Sequence, residues 1–460
     1  MMTNQFLWGA GISAFQAEGI GEDKGDTSWD LRKYGEYADF SVASDFYHKY
    51  KEDIALLARL GIKVFRFSIA WSRILPMGRV KDINYKGIEF YHRVIDECLK
   101  YDIEPLVTIF HFDMPHALIE KGGWLNRQSV DWYFDYASLL FEEYGEKVRY
   151  WQTINEQNVM VYLAENYHTL PISEGCKNPL KEIYQQNHHM FVAQAKVINL
   201  CHETCSNAKI GPAPNISYVY PLSSCPEDNL ASQNYNAIRN WLYLDIPVKG
   251  KYTQIVKCWL ESQNAFPDML PEDEEILANG KPDFLAINYY NTLTCSMDDG
   301  RTTLTTATDQ QTARGEKGMF KGEKNPYLQT SEFGWEIDPV GLRVTLREIE
   351  SRYGLPVIIT ENGLGAKEEY QDKMVEDDYR IDYVQKHIAE IEKANQLDGC
   401  QVFGYCIWSA IDIVSTHQGF SKRYGLIYVD RGEKDLKELK RYPKKSYYWY
   451  KDYISNHPYV

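Results

Sequence analysis

The chain predicts a (β/α)8 barrel, the TIM-barrel class of α/β folds, as one domain over residues 1–460 with extended loops at the C-terminal mouth. Eight strand-like segments recur, helical patterns alternate with them, and the best-defined helix runs straight into the next strand. In order the segments read "FLWGA", "KVFRFSIA", "EPLVTIFH", "YWQTINE", "AKIGPAPN", "DFLAINYY", "PVIITEN" and "VFGYCIWS".

The first connecting helix is written in "SDFYHKYKEDIALLARLG". Phe46, Tyr50, Ile54, Leu57 and Leu60 follow steps of three and four, an amphipathic stripe. Ser44 or Asp45 suits the N-cap and Gly61 the residue after the last turn. "NYKGIEFYHRVIDECLKYD" joins the third strand as tightly. Gaps around strands five to seven are longer, which predicts loops extended over the mouth. The polar stretch from Asp298 to Asn325 reads as a surface loop. No linker rich in Pro, Gly or Ser and no strong repeat divides the chain.

Bulk properties exclude several partners. A formal charge of −15 without a sizeable basic cluster argues against nucleic acid and anionic membranes. No apolar run reaches membrane-spanning length, and the first residues lack the pattern of a signal peptide. Nine cysteines without C-x-x-C pairs suit reduced, buried thiols and a cytoplasmic location. Aromatics make up 14% of the chain, with 11 Trp and 35 Tyr, which favours platforms for sugar rings without deciding the matter. No metal or other cofactor is expected. His188 and His189 are adjacent and would point apart on a helix, so packing explains them, with His202 beyond, better than ligation. "GAGISAFQAEG" lacks a complete dinucleotide fingerprint. The residues leave the oligomeric state open, a homo-oligomer included.

Two strand ends carry the chemistry. In "PVIITENGLG", a period of two puts Glu361 on the face of Val357 and Ile359, at the lip where barrel enzymes keep their active sites. "YWQTINEQN" ends the same way, in Asn155-Glu156. Cleaving a glycosidic bond needs a proton for the leaving oxygen and support for an oxocarbenium-like centre, and two carboxyl groups divide that work. Parity also turns Arg66 inward with Val64 and Ser68, opposite Phe65, Phe67 and Ile69. A buried guanidinium needs a partner. A catalytic carboxylate, held ionised by it, is one candidate, and a structural ion pair in the barrel floor is the other.

Those motifs resemble family 1 glycoside hydrolases over nearly the whole length. "FLWGAGISAFQAEG" is similar to the family's N-terminal signature, "TINEQN" to its acid/base motif and "ITENGLG" to its nucleophile motif. The resemblance implies a retaining mechanism with Glu156 as acid/base and Glu361 as nucleophile. It implies sugar contacts from Gln16, His111 and Asn155, stacking on Trp408, and support of the nucleophile by Tyr290. Asn288 would line the pocket and Trp335 would stack the leaving group. Gln157 departs from the family's usual Pro, which removes no chemical group but can shift the loop after Glu156.

A second departure concerns the substrate. Most members place Glu and then Trp against the sugar's outer hydroxyls, where this chain has Ser415 and Thr416. Lys422 and Tyr424 follow, and Ser-x6-Lys-x-Tyr resembles the phosphate site of the 6-phospho-β-glycosidases. Two hydroxyls and an ammonium suit a dianion, whereas a carboxylate would repel it. The alternative is a lost sugar contact, with Lys422 and Arg423 as solvated loop charges. Thr416 in place of Trp favours gluco over galacto substrates, although "FHFD" at residues 110–113 resembles the galactoside branch. The expectation is a cytoplasmic retaining 6-phospho-β-glucosidase acting on substrates such as cellobiose 6′-phosphate or aryl-β-glucoside 6-phosphates. The alternatives are a 6-phospho-β-galactosidase or dual activity, an unphosphorylated β-glucosidase, and a non-catalytic sugar-binding protein.

Overall fold

The computed structural model describes residues 5–300, 309–370 and 374–458. Each predicted segment contains a strand: β1 (Leu7–Gly11), β2 (Val64–Ser68), β3 (Glu104–Phe110), β4 (Tyr150–Asn155), β5 (Lys209–Ala213), β6 (Leu285–Asn288), β7 (Val357–Asn362) and β8 (Val402–Trp408). They pair in parallel in the order β5-β4-β3-β2-β1-β8-β7-β6. The ring closes between β5 and β6 through a parallel bridge from Asn215 to Asn288. The Asn288 N–H donates to the Pro214 carbonyl there at 3.0 Å.

Helices cover the outside: α1 (Phe46–Leu60), α2 (Tyr85–Lys100), α3 (Ser129–Tyr144), α4 (Pro179–Thr204), α5 (Leu242–Lys249), α6 (Pro339–Tyr353), α7 (Asp378–Asp398) and α8 (Lys445–Asn456). The α1 stripe of Phe46, Tyr50, Ile54, Leu57 and Leu60 is buried. Gly61 ends the helix at φ 94°, its N–H shared by the Leu57 and Ala58 carbonyls. Asp45 stands at the N-cap but its side chain turns to His48 Nδ1, 2.5 Å away, and does not cap.

Strand alternation separates two layers. Val64, Leu106, Tyr150, Ala286, Ile358 and Cys406 fill the barrel interior. Phe65, Phe67, Val107, Ile109, Ile287 and Ile359 belong to the larger core around the barrel. Arg66 follows the inward parity expected of it, one step above Val64.

The stretch from Asp298 to Asn325 differs from a plain surface loop. Lys321–Glu323 forms a strand antiparallel to Leu293–Ser296. The Asn325 amide donates to Thr294 Oγ1 at 3.1 Å, and the Ser296 hydroxyl to Glu323 Oε1 at 2.7 Å. These side-chain bonds pin a segment whose composition is that of a loop. Residues 301–308 of that stretch lie outside the described residues.

Candidate active site

Glu361 points into the barrel, but not by simple alternation. Val357 and Ile359, whose face it was expected to share, pack in the outer core, while Ile358 faces inward. The pairing of β7 with β6 shifts register between Ile359 and Glu361, and its pairing with β8 shifts between Ile359 and Asn362. This irregularity lets Thr360 and Glu361 both face the interior, as bulges beside active sites do. Strand β4 shifts against β5 between Gln152 and Asn155. Glu156 then leaves the strand at φ 44°, in the left-handed region.

Arg66 joins the two strand ends. Its Nη1 donates to Glu361 Oε1 at 2.6 Å and its Nη2 to Asn155 Oδ1 at 2.6 Å. The Nε donates to Thr108 Oγ1 and Gln152 Oε1, at 2.9 and 3.0 Å, from the layer below. The guanidinium is fully buried, so these partners replace its water. The Tyr290 hydroxyl donates to Glu361 Oε2 at 2.7 Å. Two amides, Asn215 and Asn288, donate to the same oxygen of Glu156, Oε1, at 2.8 and 3.0 Å.

Burial raises both carboxyl pKa values. Glu361 reaches about 7, with the Glu156 charge adding to the rise and Arg66 and Tyr290 opposing it. Arg66 was expected to hold Glu361 ionised, but its pull is outweighed by the loss of water. Glu156 is raised chiefly by burial, against its two amide donors.

The cleft over these groups is lined by Gln16, His111, Glu156, Tyr290, Trp335, Glu361, Trp408, Ser415, Thr416 and Tyr424 among others. Arg66, Asn155 and Asn288 hydrogen-bond to Glu361, His111 and Glu156 of that wall, and Lys422 lies against its Trp335. The His111 and Trp408 rings lie nearly parallel, 18° apart with centroids at 6.1 Å. His111 is held neutral by burial and by Arg66. Its Nε2 faces the Asn155 amide nitrogen at 3.1 Å and therefore accepts, which leaves the hydrogen on Nδ1. Gln16 donates to the Val414 carbonyl at 2.9 Å, beside the Ser415–Gly419 hairpin. Gln157, in place of the family's Pro, donates to Asn187 Oδ1 on α4 at 2.7 Å and anchors the turn after Glu156.

Lys422 and Arg423 are both buried, unlike solvated loop charges. Arg423 pairs with Asp412 at 2.9 Å. Lys422 has no carboxylate within 4.0 Å among the described residues, and its Nζ rests 3.6 Å from the centroid of Trp335, near Tyr424 and Phe333. Burial pushes its pKa down to about 8. Gly365 makes this position reachable, since a Cβ there would lie 2.6 Å from Lys422 Cε and 2.9 Å from Tyr424 Cζ. Ser415 and Tyr424 both line the cleft.

The residue reading missed Asn215, Thr108 and Gln152. Asn215 closes "AKIGPAPN" just as Asn155 and Glu156 close their segment, and that strand-end position was the available signal. Asp309, which accepts from Trp335 Nε1 at 2.9 Å, carried no signal because a distant loop delivers it. His188 and His189 have partners of their own, Asp273 at 3.0 Å and the Trp124 carbonyl at 2.8 Å.

The comparisons agree with this geometry. Residues 1–459 match the family model described as glycosyl hydrolase family 1. The chain is 43% identical to an aryl-phospho-β-D-glucosidase of Bacillus subtilis, covering 98% of this chain and 96% of the relative. It is 38% identical to a 6-phospho-β-glucosidase of Escherichia coli (98% and 97%) and 36% identical to a 6-phospho-β-galactosidase of Clostridium acetobutylicum (97% and 95%). A solved family 1 β-glucosidase from Thermotoga maritima superposes with a TM-score of 0.87 at 33% identity, over 99% of this chain and 98% of that one. The chain belongs to glycosyl hydrolase family 1 and is a glycoside hydrolase.

Proposed function

We propose that this single-domain barrel is a retaining 6-phospho-β-glucosidase of the cytoplasm, where sugars phosphorylated during import are met. It releases glucose 6-phosphate from substrates such as aryl β-glucoside 6-phosphates or cellobiose 6′-phosphate. Glu361 is the nucleophile and Glu156 the acid/base. The 2.6 Å ion pair to Arg66 favours ionised Glu361 against the burial that raises its pKa, while Glu156, hydrogen-bonded by two neutral amides, is the group this mechanism needs protonated. A carboxylate oxygen of Glu361 bonds to C1 as the C1–O bond to the aglycone breaks and the leaving oxygen takes the Glu156 proton. Glu156 then removes a proton from water, whose oxygen bonds to C1 and frees Glu361. Trp408 backs the sugar ring, while Gln16, His111, Asn155 and Asn288 serve its hydroxyls.

The observation that carries the substrate is Lys422, a buried ammonium beside Ser415 and Tyr424 with no carboxylate within 4.0 Å among the described residues, Asp309 acting on it from farther away. A phosphate on O6 supplies a counter-charge in direct contact. The three curated relatives named above, an aryl-phospho-β-D-glucosidase, a 6-phospho-β-glucosidase and a 6-phospho-β-galactosidase, support this reading. Thr416 leaves room beside O4 and favours the gluco configuration.

Proton NMR of the first product formed from 4-nitrophenyl β-glucoside 6-phosphate tests the chemistry. The β anomer of glucose 6-phosphate appears first if the mechanism retains configuration, and the α anomer overturns it. The galacto isomer run alongside measures the sugar preference.

A further inference from the structure

Glu156 holds its two oxygens in different settings. Oε1 accepts from Asn215 and from Asn288, whereas Oε2 receives no hydrogen bond from the described residues. An amide can present either its oxygen or its nitrogen, so something must decide that both present nitrogen. For Asn288 the decision comes from Thr360, whose hydroxyl donates to Asn288 Oδ1 at 2.9 Å. For Asn215 it comes from Arg239. The Arg239 Nη2 donates to Asn215 Oδ1 and its Nη1 to the Asn215 carbonyl, both at 2.8 Å. A guanidinium only donates, so the Asn215 oxygen is committed to it and the Nδ2 must face Glu156.

Arg239 sits on a π turn, Ala237–Trp241, set into the helical run that ends in α5. Such turns often mark functional positions. Its neighbours brace the same strand. Asn240 donates to the Ser217 carbonyl at 2.7 Å, and the Asn158 Oδ1 accepts from the Asn215 N–H at 3.1 Å. Arg239 is buried without a carboxylate within 4.0 Å among the described residues; its Nη2 also donates to the Gln310 carbonyl at 3.2 Å, but its shorter bonds, at 2.8 Å, go to Asn215.

We propose that Arg239 is a positioning residue for the acid/base: acting through Asn215, it keeps Oε1 of Glu156 as an acceptor and confines the transferable proton to Oε2. This rests on the reading of Glu156 as acid/base. The charged and titratable groups acting on Glu156 are Arg66 from β2, Arg239 from the π turn, and Glu361 and Tyr290 from the ends of β7 and β6. Loss of Arg239 removes a positive charge and frees the Asn215 amide to turn its oxygen toward Oε1. Both changes favour the protonated carboxyl.

The test is the alkaline limb of kcat/KM for plain 4-nitrophenyl β-glucoside, which carries no phosphate for Lys422 to meet, so that the limb reports the acid of the free enzyme. In Arg239→Gln that limb moves up by about one pH unit, and Arg239→Lys, which keeps a charged donor, brings it back at least halfway. Asn215→Ala moves it the same way, and adding Arg239→Gln to Asn215→Ala moves it little further. A limb that stays in place in folded Arg239→Gln overturns the proposal, whatever happens to thermal stability. If Arg239→Gln does not fold, an unmoved limb in Asn215→Ala overturns it instead. Glu156→Gln separates the two layers, because survival of both turnover and the alkaline limb in that variant refutes the acid/base reading itself.

Discussion

Ile359 and Glu361 stand two residues apart on one strand and face opposite ways, Ile359 into the outer core and Glu361 onto Arg66 at 2.6 Å. The register shift between them makes the difference. A regular strand would have placed the carboxylate among the helices, where burial without a partner is prohibitive. The irregularity is thus what brings Glu361 and Arg66 together.

If Glu361 is the nucleophile, Glu361→Gln keeps the shape of the site and removes the attacking group. Turnover of 4-nitrophenyl β-glucoside 6-phosphate should fall by about 10⁴-fold or more. Release of 4-nitrophenol measures it, and an unchanged rate refutes the mechanism.

Tyr290 favours the ionised form of Glu361 through its 2.7 Å hydrogen bond. In Tyr290→Phe the opposition to burial weakens, so the Glu361 pKa rises further above its ordinary value. The nucleophile must be ionised, so activity is lost as pH falls through that pKa. The acidic limb of kcat/KM should therefore move to higher pH, by about one unit. A pH–rate profile in which the limb moves down or stays fixed contradicts this role.

Lys422→Ala should raise KM for the phosphorylated glucoside about 10- to 100-fold, the scale of one or two charged hydrogen bonds. KM for the plain glucoside should change by about threefold or less. Equal effects on both substrates would mean that Lys422 supports the wall and not the phosphate.

The depressed Lys422 pKa predicts a pH signature of its own. Below about 8 the ammonium is present in the free enzyme, and above it the neutral amine predominates. The advantage of the phosphorylated over the plain substrate in kcat/KM should therefore decline as pH rises through about 8. Lys422→Ala should abolish the decline. A ratio that is flat across this range argues against an ammonium–phosphate contact.

Much of this molecule was legible in its sequence. All eight strands were, because each is a short apolar run between helical stripes, and so was the inward turn of Arg66, because β2 alternates regularly through Val64 and Phe65. The inward aim of Glu361 was reached by a parity that does not hold, since register shifts leave no local mark in "PVIITEN". The helix stop at Gly61 could be read, while capping by Asp45 could not, because His48 competes for its carboxylate. Asn215 and Arg239 stayed hidden for another reason. Their partners lie 59 and 24 residues away in the chain, and the pairing of β4 with β5 and the π turn bring them together.

The central claim is that Lys422, with Ser415 and Tyr424, makes this site one for a 6-phosphate. The most direct measurement compares kcat/KM for 4-nitrophenyl β-glucoside 6-phosphate with that for 4-nitrophenyl β-glucoside at one pH below about 8. A preference of about 100-fold or more for the phosphorylated substrate is expected from the charged contacts it gains. Equal or better turnover of the plain glucoside would contradict the assignment.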